Sequence, residues 1–154
     1  VLKCLKDLPN QNLVVVGNGK EYKHKCLEFI KENKLEKRVH ILSGLTLTEL
    51  ASTYQNAQML IYPSLFEGFG IPIIEALFSK IPVISSKNGC FSEAGGPSSI
   101  YIEPTNVEEM RASILSILNE QDKREKQINL GFEHAQNFND PIIAKKLISI
   151  YRNL

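Results

Sequence analysis

Apolar runs without polar alternation punctuate the chain, and helix-periodic stretches fill the spaces between them. The runs are "NLVVVGNG" (12–19), "RVHILSG" (38–44), "QMLIYPS" (58–64), "IPVISS" (81–86) and "SIYIE" (99–103). Short Val/Ile-rich runs of this kind suit strands buried on both faces, and helices between them provide the crossovers that parallel strands need. Helical spacing predicts helices over about 21–33 and 46–56, another opened by Pro72, and one after Thr105 whose stripe is Val107, Met110, Ile114 and Ile117. Thr46 with Glu49, and Thr105 with Glu108, match the S/T-x-x-E capping box. "VLKCLKDLPN" reads as the last turns of a helix stopped by Pro9-Asn10, and Val1 is not an initiator methionine, so a piece of a longer chain is expected. From Gln121 the chain is helical and charged, Asn139-Asp140-Pro141 interrupts it, and an amphipathic helix over about 141–154 closes it. The alternation predicts an α/β fold, an open doubly wound, Rossmann-like parallel sheet with helices on both faces.

Composition narrows the partners. The 154 residues, 43% hydrophobic and 23% charged, fit one globular domain. The 18 basic and 17 acidic residues are dispersed and leave a net charge of +1, without the basic stripe that nucleic-acid phosphates require. Cys4, Cys26 and Cys90 form no CxxC pair, and His24, His40 and His134 have no neighbour at metal-ligand spacing, which predicts a reduced, cytoplasmic chain without a metal or other cofactor. No run of 18 apolar residues suggests a membrane span, and no segment resembles a signal peptide.

In doubly wound sheets ligands bind beyond the carboxyl ends of strands, where helix N-termini point free N–H groups into the crevice. Gly17-Asn18-Gly19 follows the first run, but a dinucleotide fingerprint would need a third glycine where Tyr22 stands. "PSLFEGFGIPIIEALF" (63–78) carries more. Glu67 ends the strand, Gly68 and Gly70 bracket Phe69, and Pro72 sits where the first helical residue tolerates it. The amides of Phe69, Gly70 and Ile71 then form an anion site suited to a diphosphate. Glu75, one turn in, can accept hydrogen bonds from the vicinal hydroxyls of a ribose, and Glu67 from a second polyol. Spacing alone does not single out this pair, since Glu28 with Glu36 and Glu125 with Glu133 share it inside helical patterns. Each carboxylate also admits a plain reading, as a helix-dipole partner or a solvated residue.

"PSLFEGFGIPIIEAL" resembles the PS-x-x-EGFG-x-P-x-x-EA signature of the group-one (family 4) retaining glycosyltransferases, two-domain enzymes of the GT-B architecture. "NLVVVGNG", "RVHILSGLTLTELASTYQNAQMLIYPS", "KIPVISSKNGCFSE" and "SIYIEPTNVEEM" follow the order of that family's carboxyl-terminal, donor-binding domain. The resemblance implies a hexosyltransferase that moves a sugar from a nucleoside diphosphate sugar to a hydroxyl of a glycan, lipid-linked or small-molecule acceptor, with retention and without a metal. It places Glu67 on the donor sugar as the candidate catalytic residue, Gly68, Phe69, Gly70 and Ile71 on sugar and diphosphate, and Glu75 on the ribose. It further places Ser43 and Leu45 beside the base, Gly17 near the nucleotide, and Gly89 in the next sugar-facing loop. Gly89-Cys90 stands where the family usually has Gly-Gly, and Phe91-Ser92 replaces its Leu-Pro before Glu93. The family's diphosphate-binding arginine and lysine, and its acceptor-binding domain with any peripheral attachment to a membrane, would precede Val1, so the fragment by itself is expected to be inactive. A non-catalytic nucleotide-sugar module and a purely structural α/β domain are the rival readings, and the latter predicts no amide shifts at 67–75 on adding any nucleoside diphosphate.

Overall fold

The structure, a computed structural model, describes residues 1–19 and 21–153. They form two compact units, 1–50 and 51–154, each built as parallel strands with helical crossovers. In the first unit, β1 (Leu13–Val16) pairs in register with β2 (Val39–Leu42), Leu13 opposite Val39 and Val16 opposite Leu42. The crossover between them is α2 (Glu21–Glu32), preceded in the chain by the short α1 (Leu2–Leu5). Leu5, Ile30, Leu35 and Val39 form this unit's buried core. The Arg38 guanidinium donates to the carbonyls of Leu5 at 3.0 Å and Leu8 at 2.6 Å, closing the α1 end onto the entrance of β2.

β1 departs from the expectation of strands buried on both faces. Val14, Val15 and Val16 are 44%, 39% and 45% exposed, because among the described residues only β2 pairs with β1.

The second unit holds three parallel strands in the order β3 (Leu60–Tyr62), β4 (Val83–Ser86) and β5 (Ile100–Ile102). β4 lies between the other two, and all four of its residues are buried, as a strand covered on both faces should be. α3 (Leu47–Gln55) leads toward β3, α4 (Ile71–Phe78) joins β3 to β4, and the short α5 (Phe91–Gly95) joins β4 to β5. α6 (Val107–Asn119) packs on β4 and β5, with Met110, Ile114 and Ile117 of the predicted stripe buried and Val107 half-buried. α7 (Gln121–Ala135) runs against α4, and Gly131 makes that approach possible, since a Cβ there would lie 2.7 Å from Leu77 Cδ2. A 3-10 turn (Gln136–Phe138) then leads to α8 (Asp140–Arg152), the closing helix expected from the sequence.

One capping box forms and one does not. The Thr46 hydroxyl accepts from the Glu49 amide at 3.3 Å, while the Thr46 amide at 2.8 Å and the Thr46 hydroxyl at 2.7 Å both donate to Glu49 Oε2 and hold that carboxyl below its usual pKa. At α6 the cap is Asn106 instead of Thr105. Its Oδ1 accepts from the Glu109 amide at 3.1 Å, while Thr105 turns its hydroxyl to Glu103. Asparagine caps as well as threonine, so the helix starts one residue on, and the Glu109 carboxylate meets Lys87 and accepts from the Glu103 amide.

Candidate donor-binding site

The site is built where β3 ends and α4 begins. Tyr62 is the last residue of β3, and the chain then makes an irregular turn through Glu67 to Gly70. Gly70 is the N-cap of α4 with φ 100° and ψ 44°, a left-handed conformation that only glycine adopts without strain. The helix begins at Ile71, so Pro72 is its second residue, one position later than the sequence suggested. Proline is accommodated there for the same reason, because the first-turn N–H groups have no intrahelical acceptor.

The amides of Phe69, Gly70 and Ile71 have no hydrogen-bond partner among the described residues. They stand at the positive end of the α4 dipole, so the N-terminus presents unspent donors to an incoming anion. The Phe69 ring packs edge-on against Phe138, ring centroids 5.6 Å apart, so its side chain fixes the loop while its amide stays available.

Both glutamates of the motif are half-buried, and each is held by a phenol. Tyr62 donates to Glu67 Oε1 at 2.7 Å, and Tyr54, near the end of α3, donates to Glu75 Oε2 at 3.0 Å. Burial first and the adjoining carboxylates second raise both phenol pKa values, that of Tyr62 to about 12. Among the described residues the remaining oxygens, Glu67 Oε2 and Glu75 Oε1, take no partner.

The loop backbone is secured from β4 and the turn after it. Ser85 Oγ donates to the Tyr62 carbonyl at 3.0 Å, Ser86 Oγ to the Ser64 carbonyl at 2.5 Å, and the Cys90 thiol to the Glu67 carbonyl at 3.4 Å. Cys90, where the family pattern has glycine, therefore braces the residue that carries Glu67. A cleft of about 210 Å³ opens here, lined by residues 64–67, 86–91, Glu103 and Pro104. Gly89 lies on its wall, in the turn after β4. Lys87 on the same wall is paired with Glu109. A wider open groove of about 530 Å³ follows α8 from Pro141 to Asn153, but it is the surface of one helix and carries none of the motif residues.

The structure thus gathers Glu67, Gly68, Phe69, Gly70, Ile71, Glu75 and Gly89 within the second unit. Gly17, Ser43 and Leu45 lie at strand ends in the first unit. Gly17 spends its amide on the Leu42 carbonyl at 2.9 Å, while Ser43 is exposed and Leu45 half-buried in the segment leading to α3. Tyr54, Tyr62, Ser85 and Ser86 were not singled out by the motif. The signal for the serines was present, since "VISS" puts two hydroxyls at the carboxyl end of an otherwise apolar strand.

Parallel strands with helical crossovers and a glycine-capped helix at a strand end define an α/β module of the Rossmann-like kind. The chain belongs to the glycosyl transferases group 1 family, whose model matches residues 1–134. It is 33% identical over 106 residues to the O-antigen chain mannosyltransferase RfbU of Salmonella typhimurium, an alignment covering 69% of this chain and 30% of that protein. It is 29% identical over 128 residues to the MMP alpha-(1->4)-mannosyltransferase of Mycolicibacterium hassiacum, covering 80% of this chain and 31% of that one. The chain therefore spans about a third of the length of these relatives. Among solved structures, Anabaena Alr3699/HepE in complex with UDP-glucose superposes with a TM-score of 0.88 at 20% identity, over 99% of this chain and 44% of that one. Sucrose-phosphate synthase from Thermosynechococcus elongatus gives 0.87 at 24%, over 99% and 40%. Both show that the fold is that of the glycosyltransferase α/β domain.

Proposed function

We propose that this chain is the donor-binding part of a hexosyltransferase, which moves a hexose from a nucleoside diphosphate sugar to a hydroxyl acceptor with retention of anomeric configuration. The observation that carries this reading is the α4 N-terminus, three unpartnered amides flanked by two tethered carboxylates. The amides meet the diphosphate and stabilise charge as it develops on the leaving group, a role that fixed dipoles perform well because they need not reorient. No catalytic metal is invoked, since the helix end supplies the positive potential. Glu75 receives the ribose hydroxyls and Glu67 those of the sugar. Gly68, Gly70, Ile71 and Gly89 line the path. The relatives' mannosyltransferase names and the UDP-glucose held by the Anabaena protein support a hexose donor, with the acceptor a glycan or lipid-linked sugar held elsewhere in the full-length protein. Three free cysteines fit a cytoplasmic setting.

Titration of the isotope-labelled protein with UDP, GDP and ADP tests this reading. Amide shifts concentrated at residues 67–75 are expected. Their absence with all three ligands overturns it, and saturable binding without transfer of radiolabelled sugar by the full-length protein would leave a sensor in place of an enzyme.

A further inference from the structure

We propose that Tyr54 and Tyr62 are positioning residues with separate duties, Tyr54 aiming Glu75 at the nucleoside and Tyr62 aiming Glu67 at the transferred sugar. The proposal rests on the donor-site reading above and adds to it two residues outside the motif. Its basis is a division of labour in the contacts. The backbone between β3 and α4 is already pinned by Ser85, Ser86 and Cys90, all of which donate to carbonyls. The tyrosine hydroxyls touch no backbone there; each meets one carboxylate oxygen, at 3.0 Å for Tyr54 and 2.7 Å for Tyr62. Their effect is therefore on the glutamate rotamers, not on the course of the loop.

A glutamate side chain has three rotatable bonds, and a half-exposed one samples many orientations unless something holds it. A phenol bound to one oxygen restricts the carboxylate and leaves the second oxygen, without a partner among the described residues, to accept from a ligand. The rings are anchored well enough to serve as fixed posts. Both pack against the core around Ile73 and Leu77, and Tyr62 also meets Phe91 edge-on with ring centroids 6.5 Å apart. The two posts come from different elements, the end of α3 and the end of β3, so each glutamate is held independently. Preorganised acceptors bind more tightly because the ordering cost is met before the ligand arrives.

Calorimetry on the full-length protein with UDP, UDP-glucose, GDP and GDP-mannose tests the assignment. The wild type should bind one base, and its sugar-bearing form more tightly than the bare diphosphate. Tyr54→Phe, which keeps the ring, should weaken both forms alike by about tenfold, the cost of ordering a freed glutamate side chain on binding. Tyr62→Phe should weaken the sugar-bearing form about fivefold more than the bare diphosphate. Tyr62→Phe combined with Glu67→Ala should be no weaker than Glu67→Ala alone, because Tyr62 acts through the Glu67 carboxylate. Glu67→Gln and Glu75→Gln leave the aromatic packing untouched, so their sugar-specific and nucleoside-wide losses test the same division should a phenylalanine variant fail to fold. Unchanged affinities, a Tyr62→Phe loss equal for both forms, or additive losses in the double variant overturn the proposal. Equal wild-type affinity for both forms overturns its Tyr62 half. A wild type that binds none of the four ligands refutes the donor site itself, and the inference with it.

Discussion

Replacing Glu75 by Gln removes one negative charge while keeping the side chain's shape, and the structure sets what each atom loses. Glu75 Oε2 accepts the Tyr54 hydroxyl at 3.0 Å, and the carbonyl oxygen of glutamine can take over that bond, so the tie between α3 and α4 should survive. The other position becomes an NH2 group, a donor where a ribose hydroxyl would otherwise find an anionic acceptor. A hydrogen bond to a charged group is worth about 1.5–3 kcal/mol, and the amide can still donate to a hydroxyl oxygen, so the net loss should be about 1–3 kcal/mol. That corresponds to a Kd raised roughly 5- to 150-fold. Calorimetry on wild type and Glu75→Gln with UDP- and GDP-sugars measures the change, and thermal unfolding in the same buffer measures stability. The reasoning predicts weaker binding at an unchanged Tm. An affinity within twofold of wild type, or a Tm that falls in step with affinity, would make Glu75 a structural residue.

Gly70→Ala should destabilise the protein by about 1–3 kcal/mol in chemical denaturation, because its φ of 100° is strained for any side chain and the new methyl would sit 3.2 Å from Ile73 Cδ1. An unchanged denaturation midpoint would show that the helix start relaxes freely. Ile84→Ala, at a fully buried position in the central strand, should cost about 2–5 kcal/mol, and a cost below 1 would mean the core around β4 collapses onto the gap. Alkaline stability should report the phenols. Unfolded tyrosines ionise near pH 10 while folded Tyr62 keeps its proton to about 12, so over that window the unfolded chain binds fewer protons and stability falls as pH rises. Tyr62→Phe should flatten part of this fall, and an identical slope would refute the assignment.

Much of the fold was legible in the chain because its signals are local. Apolar runs bounded by helical periods gave the strands, parallel within each unit, and their crossovers, and the Met110, Ile114 and Ile117 positions gave the buried face of α6. The motif around Glu67 and Glu75 was legible for a related reason: a strand end, two glycines, a proline and a helical carboxylate lie within one short stretch. Exposure and partnership were not. A valine run reads alike whether one or two strands flank it, so the exposure of Val14 to Val16 was set by pairing and not by composition. The Asn106 cap stands in place of the Thr105 pattern, and the Glu109 carboxylate meets Lys87, 22 residues away in sequence. The tyrosines that hold the two glutamates lie 21 and 5 residues from them. No periodicity encodes such meetings. The sequence by itself determined which helix end could receive an anion, since N–H groups at a helix start are left over by local geometry. Only the tertiary structure decided how the flanking carboxylates are aimed, because that depends on side chains converging from α3, β3 and β4 at hydrogen-bond distance.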